Sequence, residues 1–375
     1  MRKLFINNLF ALKNNILIVT SEFPPEPGGI GNHAFNLAKY LDKNNFKISV
    51  VADQRLIDNK KERLFDKNLS FTVLRIKIKS IRIFKYFNRF FKTFKYAYQN
   101  EIIIASGKFS LWIVALTSFF LKKKYIAIIH GTEVNFKKKI LKKSIDFSLT
   151  RFDKIIAVSN FTKSLVNDLN LRNIEVICNG FEINNNDIPA VMKLKGFPNL
   201  ITVGSVSDRK GQQNVIKAIP YLLKKYPKLH YHIVGTPLEK NKFLKIAEDL
   251  QISQYITFYG KLEEHEKINV LKSSDIFIML SENTKSGDVE GFGIALLEAN
   301  SLGIPTIGST GCGIEDAISN YTSGILVKNN DFEKISLAVD EIIKNYDTYQ
   351  IASNEWAHNF TWETIIKKYI KSFNF

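Results

Sequence analysis

The chain has 375 residues, 45% of them hydrophobic, and a formal net charge of +17. That length suggests two domains with sizeable cores, and two cysteines, Cys178 and Cys312, exclude a disulfide framework. A membrane-spanning helix is excluded too: the longest apolar run, Phe109–Leu121, has 13 residues where a bilayer needs about 20.

The start, MRKLFINNLFALKNN, carries the basic residues of a signal peptide. Its apolar part is short and broken by Asn, and no small-residue cleavage site follows, so a cytoplasmic protein is expected. NILIVTSEF then predicts a buried parallel strand. GGIGNHAFNLAKYLDKN predicts a helix, with Ile30, Ala34, Leu37, Ala38 and Leu41 at helical spacing. FKISVVAD is a second strand. IIIAS, KYIAIIHG, DKIIAVS and IEVICNG are further short apolar runs, most of them separated by helical segments, and FSLWIVALTSFFL reads as a buried core helix. This alternation argues for a doubly wound parallel sheet.

The polar, Asn-rich stretch before Pro198 interrupts the pattern and reads as a linker. The alternation restarts with LITVGSVSD, LHYHIVG, ITFYGKL, SDIFIMLSE, PTIGS and SGILV, spaced by helices. Two α/β domains in tandem are expected to face a central cleft lined by the C-terminal ends of both sheets, where such folds bind ligands.

Basic charge is uneven. Residues 1–196 carry 34 Lys+Arg against 15 Asp+Glu, and residues 197–375 carry 19 against 21. The whole basic excess lies in the first half, which points that half at an anionic partner: nucleic acid, a membrane surface or a phosphorylated substrate.

Three strand–helix junctions carry chemistry. In SEFPPEPGGIGNHAF, Gly29, Gly31 and Ala34 match G-x-G-x-x-A, and Asp53 ends the next strand, which fits a dinucleotide fingerprint. The Pro-rich loop before the glycines is longer than that fingerprint's tight turn. Gly28 and Gly29 can instead let the backbone approach a phosphate or sugar at a helix N-terminus, or the segment is a plain loop. In VGSVSDRKGQQNVIKAI, Arg209 and Lys210 follow a strand and are placed to hold a diphosphate, or else form a solvated charge pair. In GDVEGFGIALLEANS, Gly291 and Gly293 permit a tight loop before a helix whose N–H groups favour an anion. Glu290 and Glu298 flank that anion site and are expected as acceptors for sugar and ribose hydroxyls, or else are two surface glutamates.

These segments together resemble the retaining, GT-B-fold glycosyltransferases of family 4, bacterial surface-polysaccharide type. EGFGIALLE carries that family's Glu-x7-Glu pair, and VGSVSDRKG, HGTE, AVSNFTK, ICNGFE and NFTWETIIKKYI fall in the family's order. The resemblance implies two Rossmann-like domains: residues 1–183 on the acceptor side, a linker at 184–198, a nucleotide-sugar-binding domain at 199–358, and a C-terminal helix at 359–375 crossing back. It implies that Glu290 binds donor sugar hydroxyls and Glu298 the ribose, and that Lys210 with Arg209 holds the diphosphate. Gly291, Phe292 and Gly293 would offer backbone N–H groups to the leaving group, Gly29 would line the phosphate, His130 would sit near the reacting sugar, and Asn179 at the interdomain face. Ser205 stands where many members have Arg.

The implied reaction moves a sugar from a nucleotide-diphosphate sugar to a glycan or lipid-linked acceptor. No metal or other cofactor is expected, since the chain has no Asp-x-Asp, Cys pair or His-x3-His. A sugar-nucleotide epimerase on the same fold and an NAD-dependent oxidoreductase are the alternatives.

Between Arg75 and Tyr98, Lys or Arg stand at 75, 77, 79, 82, 85, 89, 92 and 95, while Phe84, Phe87, Phe91 and Phe94 recur at helical spacing. With KKKILKK at Lys137–Lys143, this composition suits peripheral attachment to an anionic membrane surface rather than nucleic acid. The bland alternative is that the Phe stripe packs inward and the cations are merely solvated.

Overall fold

The computed structural model describes residues 15–26, 28–78, 82–171, 173–182 and 192–373. Two compact units result. The first comprises residues 1–177 and 365–375, the second 178–364. Of the linker expected at 184–198, residues 184–191 lie outside the described residues, as does residue 183.

In the first unit the elements run β1 (Asn15–Thr20), α1 (Gly29–Lys43), β2 (Lys47–Asp53), α2 (Lys60–Lys67), β3 (Thr72–Ile76), α3 (Arg82–Gln99), β4 (Ile102–Ser106), α4 (Lys108–Thr117), β5 (Lys124–Ile129), α5 (Lys139–Leu149), β6 (Lys154–Ala157), α6 (Asn160–Ser164) and β7 (Ile174–Val176). The seven strands form one parallel sheet in the order β3-β2-β1-β4-β5-β6-β7. Helices cover the central strands, so these are apolar on both faces: Ile16, Leu17 and Ile18 of β1 are wholly buried, with Leu17 between Ser49 and Ile103 in register. The first nine residues of the 13-residue apolar run lie in α4, whose Leu111 and Val114 enter the core, while Phe119 and Phe120 follow the helix and are exposed. Among the described residues no helix is long and apolar enough to cross a membrane.

The second unit repeats the plan. It contains β8 (Asn199–Val203), α7 (Gln212–Leu223), β9 (His230–Val234), α8 (Lys240–Asp249), β10 (Ile256–Gly260), α9 (Glu264–Lys272), β11 (Ile276–Met279), α10 (Ile294–Ser301), β12 (Thr306–Ser309), β13 (Gly324–Val327), α11 (Phe332–Lys344) and α12 (Tyr346–His358). Its six-stranded parallel sheet has the order β10-β9-β8-β11-β12-β13. The final helix, α13 (Trp362–Ser372), begins in this unit and carries the chain back into the first at residue 365. There Ile365, Ile366, Tyr369 and Phe373 are buried, and the Phe373 carbonyl accepts a hydrogen bond from Lys124. Both units are thus the Rossmann-like domains that the alternation of strands and helices predicts. In each sheet the winding reverses once, between β1 and β4 and between β8 and β11. The loops after those strands diverge at their carboxyl ends, where open α/β sheets bind ligands.

The helix α3 settles which way the aromatic stripe points. Among the described side chains its buried positions are Arg89, Thr93 and Ala97, while Phe84, Phe87 and Phe91 are 56–62% exposed and Phe94, the fourth ring of the stripe, is half-buried. Arg89 turns inward because Asp53, at the end of β2, accepts a bidentate ion pair from it, and Lys85 Nζ reaches the same carboxylate at 3.2 Å. Arg75 is likewise drawn in, by Asp66 at 2.8 Å and Glu62 at 3.5 Å. Cations the sequence places in one basic surface are therefore divided, and Arg75, Lys85 and Arg89 hold the fold together.

Candidate active site

In the second unit the reversal of winding brings two loops together. The loop after β8 turns sharply through a short 3-10 helix, Asp208–Lys210, and closes at Gly211 with φ 76°. A Cβ at Gly211 would overlap the Leu280 carbonyl at the end of β11, so only glycine lets the two loops meet this closely. The loop after β11 runs to Gly293, which caps α10 with φ 91°.

The loops meet through charge. Lys210 Nζ lies 2.8 Å from Glu290 Oε2, Arg209 donates to the same oxygen, and Arg209 Nε lies 3.2 Å from Asp288. The Lys210 stem crosses Gly204, where a Cβ would stand 3.2 Å from its Cε. Glu290 is 7% exposed. Burial pushes its carboxyl upward, but Lys210 and Arg209 outweigh that and hold it below the usual glutamate range. Glu290 is therefore an ionised acceptor at neutral pH, suited to hydroxyl donors and not to proton donation. Beside it an open pocket of about 740 Å³ is lined by Asp208, Arg209, Glu282, Thr284 and Asp288 among others.

Other expected residues sit around this cluster unequally. Ser205 lies in the same loop, and its carbonyl accepts from Gln212 Nε2 at 3.0 Å. Gly291, Phe292 and Gly293 follow Glu290 directly. The Phe292 side chain is buried, its ring 5.9 Å from that of Phe360, so any ligand would meet this segment through the backbone. The Glu290 carbonyl accepts from Gly313, fixing the loop. Glu298, more than a turn into α10, is not part of the cluster. It pairs with Lys267 of α9 at 3.7 Å. Asn179 is buried in the second unit, its Oδ1 without a hydrogen-bond partner among the described residues.

In the first unit Gly28 precedes α1 and Gly29 opens it. A Cβ at Gly28 would overlap the Glu22 carboxylate, whereas one at Gly29 would meet nothing within 4 Å. His130 directly follows β5 and bonds Ser106, at the end of β4, through Nε2 at 2.9 Å. Burial lowers its imidazole to about 4, so it is neutral in the working range. Two neighbours escaped the sequence reading. His33 of α1 stands edge-on to His130, ring centres 5.1 Å apart, and bonds Tyr369 of α13 at 2.9 Å. Glu133, three residues after His130, accepts that residue's backbone N–H. Its other oxygen is buried without a hydrogen-bond partner among the described residues, and burial raises its carboxyl to about 7. A His four residues after the glycine that opens a helix, and an acid three residues after a strand-end His, were signals enough to nominate both.

Asp53 corrects the dinucleotide reading. Its carboxylate, the acid of that fingerprint, is 6% exposed and committed to Arg89 and Lys85. Among the described residues no group of three or more His, Cys, Asp or Glu is arranged to hold a metal ion.

Known proteins match along nearly the whole chain. Residues 27–185 match the family model Glycosyltransferase Family 4, and residues 184–357 match Glycosyl transferases group 1. A GDP-mannose-dependent monoacylated alpha-(1-6)-phosphatidylinositol monomannoside mannosyltransferase of Corynebacterium glutamicum is 27% identical over 351 residues, 87% of this chain and 88% of the relative. A putative colanic acid biosynthesis glycosyltransferase of Salmonella typhimurium, WcaL, is 28% identical over 161 residues, 42% of this chain and 40% of that one. The fold is shared with the crystal structure of Anabaena Alr3699/HepE in complex with UDP and glucose, at a TM-score of 0.76 and 17% identity, covering 96% of this chain and 99% of the other.

Proposed function

The chain is a glycosyltransferase of the GT-B class, and from that premise we propose that it transfers a hexose-type sugar, with retention at the anomeric carbon, from a nucleotide-diphosphate sugar to a glycan or lipid-linked acceptor in surface-polysaccharide assembly. The observation that carries the reading is the cluster of Arg209, Lys210, Asp288 and Glu290 at the carboxyl ends of β8 and β11. Two cations there match a diphosphate, and an ionised Glu290 between them matches the hydroxyls of the attached sugar. On donor binding, Lys210 and Arg209 transfer part of their pairing from Glu290 to the diphosphate, and the carboxylate is freed to accept hydroxyl protons.

In this reading Lys210 and Arg209 stabilise the negative charge that grows on the departing diphosphate. The backbone of Gly291, Phe292 and Gly293 adds N–H donors, and Glu298 accepts from the ribose. His130, neutral, orients the reacting sugar by hydrogen bonding. The acceptor hydroxyl attacks from the face the diphosphate leaves, and its proton passes to the leaving phosphate, so that no enzymic base is needed. The relatives that act on phosphatidylinositol mannosides and in colanic acid synthesis support a lipid-linked or polysaccharide acceptor. The outward Phe84, Phe87 and Phe91, with the basic excess of the first half, support attachment to the cytoplasmic face of an anionic membrane.

Incubation with labelled UDP- and GDP-sugars and a lipid extract, followed by NMR of the product's anomeric proton, tests the reading. A labelled product with the donor's anomeric configuration is expected. Inversion would overturn the mechanism, and absence of transfer from every donor would overturn the assignment.

A further inference from the structure

We propose that Lys77, Asn88 and Lys92 form a pocket in the first unit for the phosphate of an anionic phospholipid headgroup; this rests on the membrane reading above. Behind β3 and along α3 lies an open cavity of about 520 Å³ lined by Lys77, Phe84, Asn88 and Lys92. Phe84, Asn88 and Lys92 stand four residues apart on α3 and so share one helical face.

The acids that could neutralise this pair of lysines are engaged elsewhere. Asp66 and Glu62 are taken by Arg75, and Asp53 by Arg89 and Lys85. No carboxylate lines the cavity among the described residues. Lys92 uses one of its three donors on the Arg75 carbonyl, at 3.0 Å. Burial, and then the charge of Lys77, lower its ammonium from the ordinary lysine range. Two cations thus face one cavity beside an amide, and an anion entering it would relieve their repulsion.

The surroundings select a lipid over a free phosphate. Phe84 lines the pocket and is exposed, and so are Phe87 and Phe91, each one position before the pocket's Asn88 and Lys92 on the helix. The aromatic surface continues from Phe91 through Phe90 and Phe94 to Phe120, beyond the end of α4. Exposed rings next to a cation pocket fit a bilayer interface, with the rings at the acyl boundary and the lysines at the phosphate level. A dissolved phosphate has no use for the rings.

Flotation of the full chain with phosphatidylglycerol–phosphatidylcholine vesicles tests the site. Lys77→Gln with Lys92→Gln should weaken binding at least tenfold. Lys137→Gln with Lys143→Gln removes the same charge elsewhere and should weaken it less than threefold. Asn88→Asp, which leaves the Lys92 hydrogen bond in place, should match the first pair, so that loss from misfolding is separated from loss of the site. Equal losses for the two lysine pairs would overturn the pocket and leave the membrane reading standing. Failure of the unaltered chain to float with anionic vesicles at low salt would overturn both. Release of the unaltered chain by inorganic phosphate at matched ionic strength would reassign the pocket to free phosphate.

Discussion

Glu290 illustrates how much a single position can disclose. The sequence offers a glutamate between two tight loops, and chemistry assigns it to hydroxyls because an acid makes a poor partner for a diphosphate. The structure adds what spacing cannot contain, that Lys210 and Arg209 converge on it from a loop 80 residues earlier. Glu290→Gln should keep the fold, since an amide can still accept from Lys210, while kcat falls at least tenfold, in line with roughly 1.5–3 kcal/mol for a charge-assisted hydrogen bond. Unchanged kcat/KM in a sugar-transfer assay would remove Glu290 from the site. Lys210→Ala should raise the Kd of a nucleoside diphosphate by roughly 10- to 150-fold on the same scale and leave that of the nucleoside nearly unchanged, which calorimetry would register. Glu133 makes a prediction about pH. Its folded carboxyl is raised from 4.5 to about 7 by burial, so between those values the unfolded chain releases a proton that the folded chain keeps. Stability therefore drops as pH rises through that window and is level above it. Glu133→Gln should raise stability at pH 8 by on the order of 1–3 kcal/mol and change little at pH 4.5, read from denaturant melts at both.

At the level of elements, α3 shows where a sequence stops being informative. Its helical period is plain, and so are its rings and cations. Which face turns inward is not, because the deciding partner is Asp53, at the end of a different strand. By composition Arg89 belonged with the solvent-facing lysines, and the ion pair places it in the core instead. The strands of both sheets were legible for the opposite reason: a strand covered on both faces must be apolar throughout, and that is a local property. Gly211 falls between these cases, since glycine after a cation pair is visible but the Leu280 carbonyl that demands it is not. Arg89→Gln should destabilise the first unit by about 1.5–3 kcal/mol, because Asp53 loses its buried bidentate partner and keeps only Lys85. Replacing Phe84, Phe87 and Phe91 together by Ser should leave stability within about 1 kcal/mol. Thermal melts of the two variants would separate the roles, and the reverse ranking would show that the rings and not the ion pair dock the helix.

Across the whole molecule the legible feature is repetition. Two sheets reverse their winding after the third strand and before the fourth; the sequence motifs had marked both loops at the second reversal, after β8 and β11, and only the loop after β1 at the first. Less legible was how completely the first unit depends on its last segment. Ile365, Ile366, Tyr369 and Phe373 are buried there, and Tyr369 holds His33. Ending the chain at Thr364 should strip hydrogen-exchange protection from α1 and β5 while the amides of β8 and β11 stay protected, as mass spectrometry of the two units would report. Uniform loss in both units would mean that the segment stabilises the whole chain and not the first unit alone. The same connectivity separates the order of synthesis from the order of completion. As the chain leaves the ribosome its first unit emerges first, yet it lacks one wall until the entire second unit has been translated. The nascent first unit waits with the surface that α13 will cover still open to solvent, and the second unit, contiguous in sequence, can finish before it.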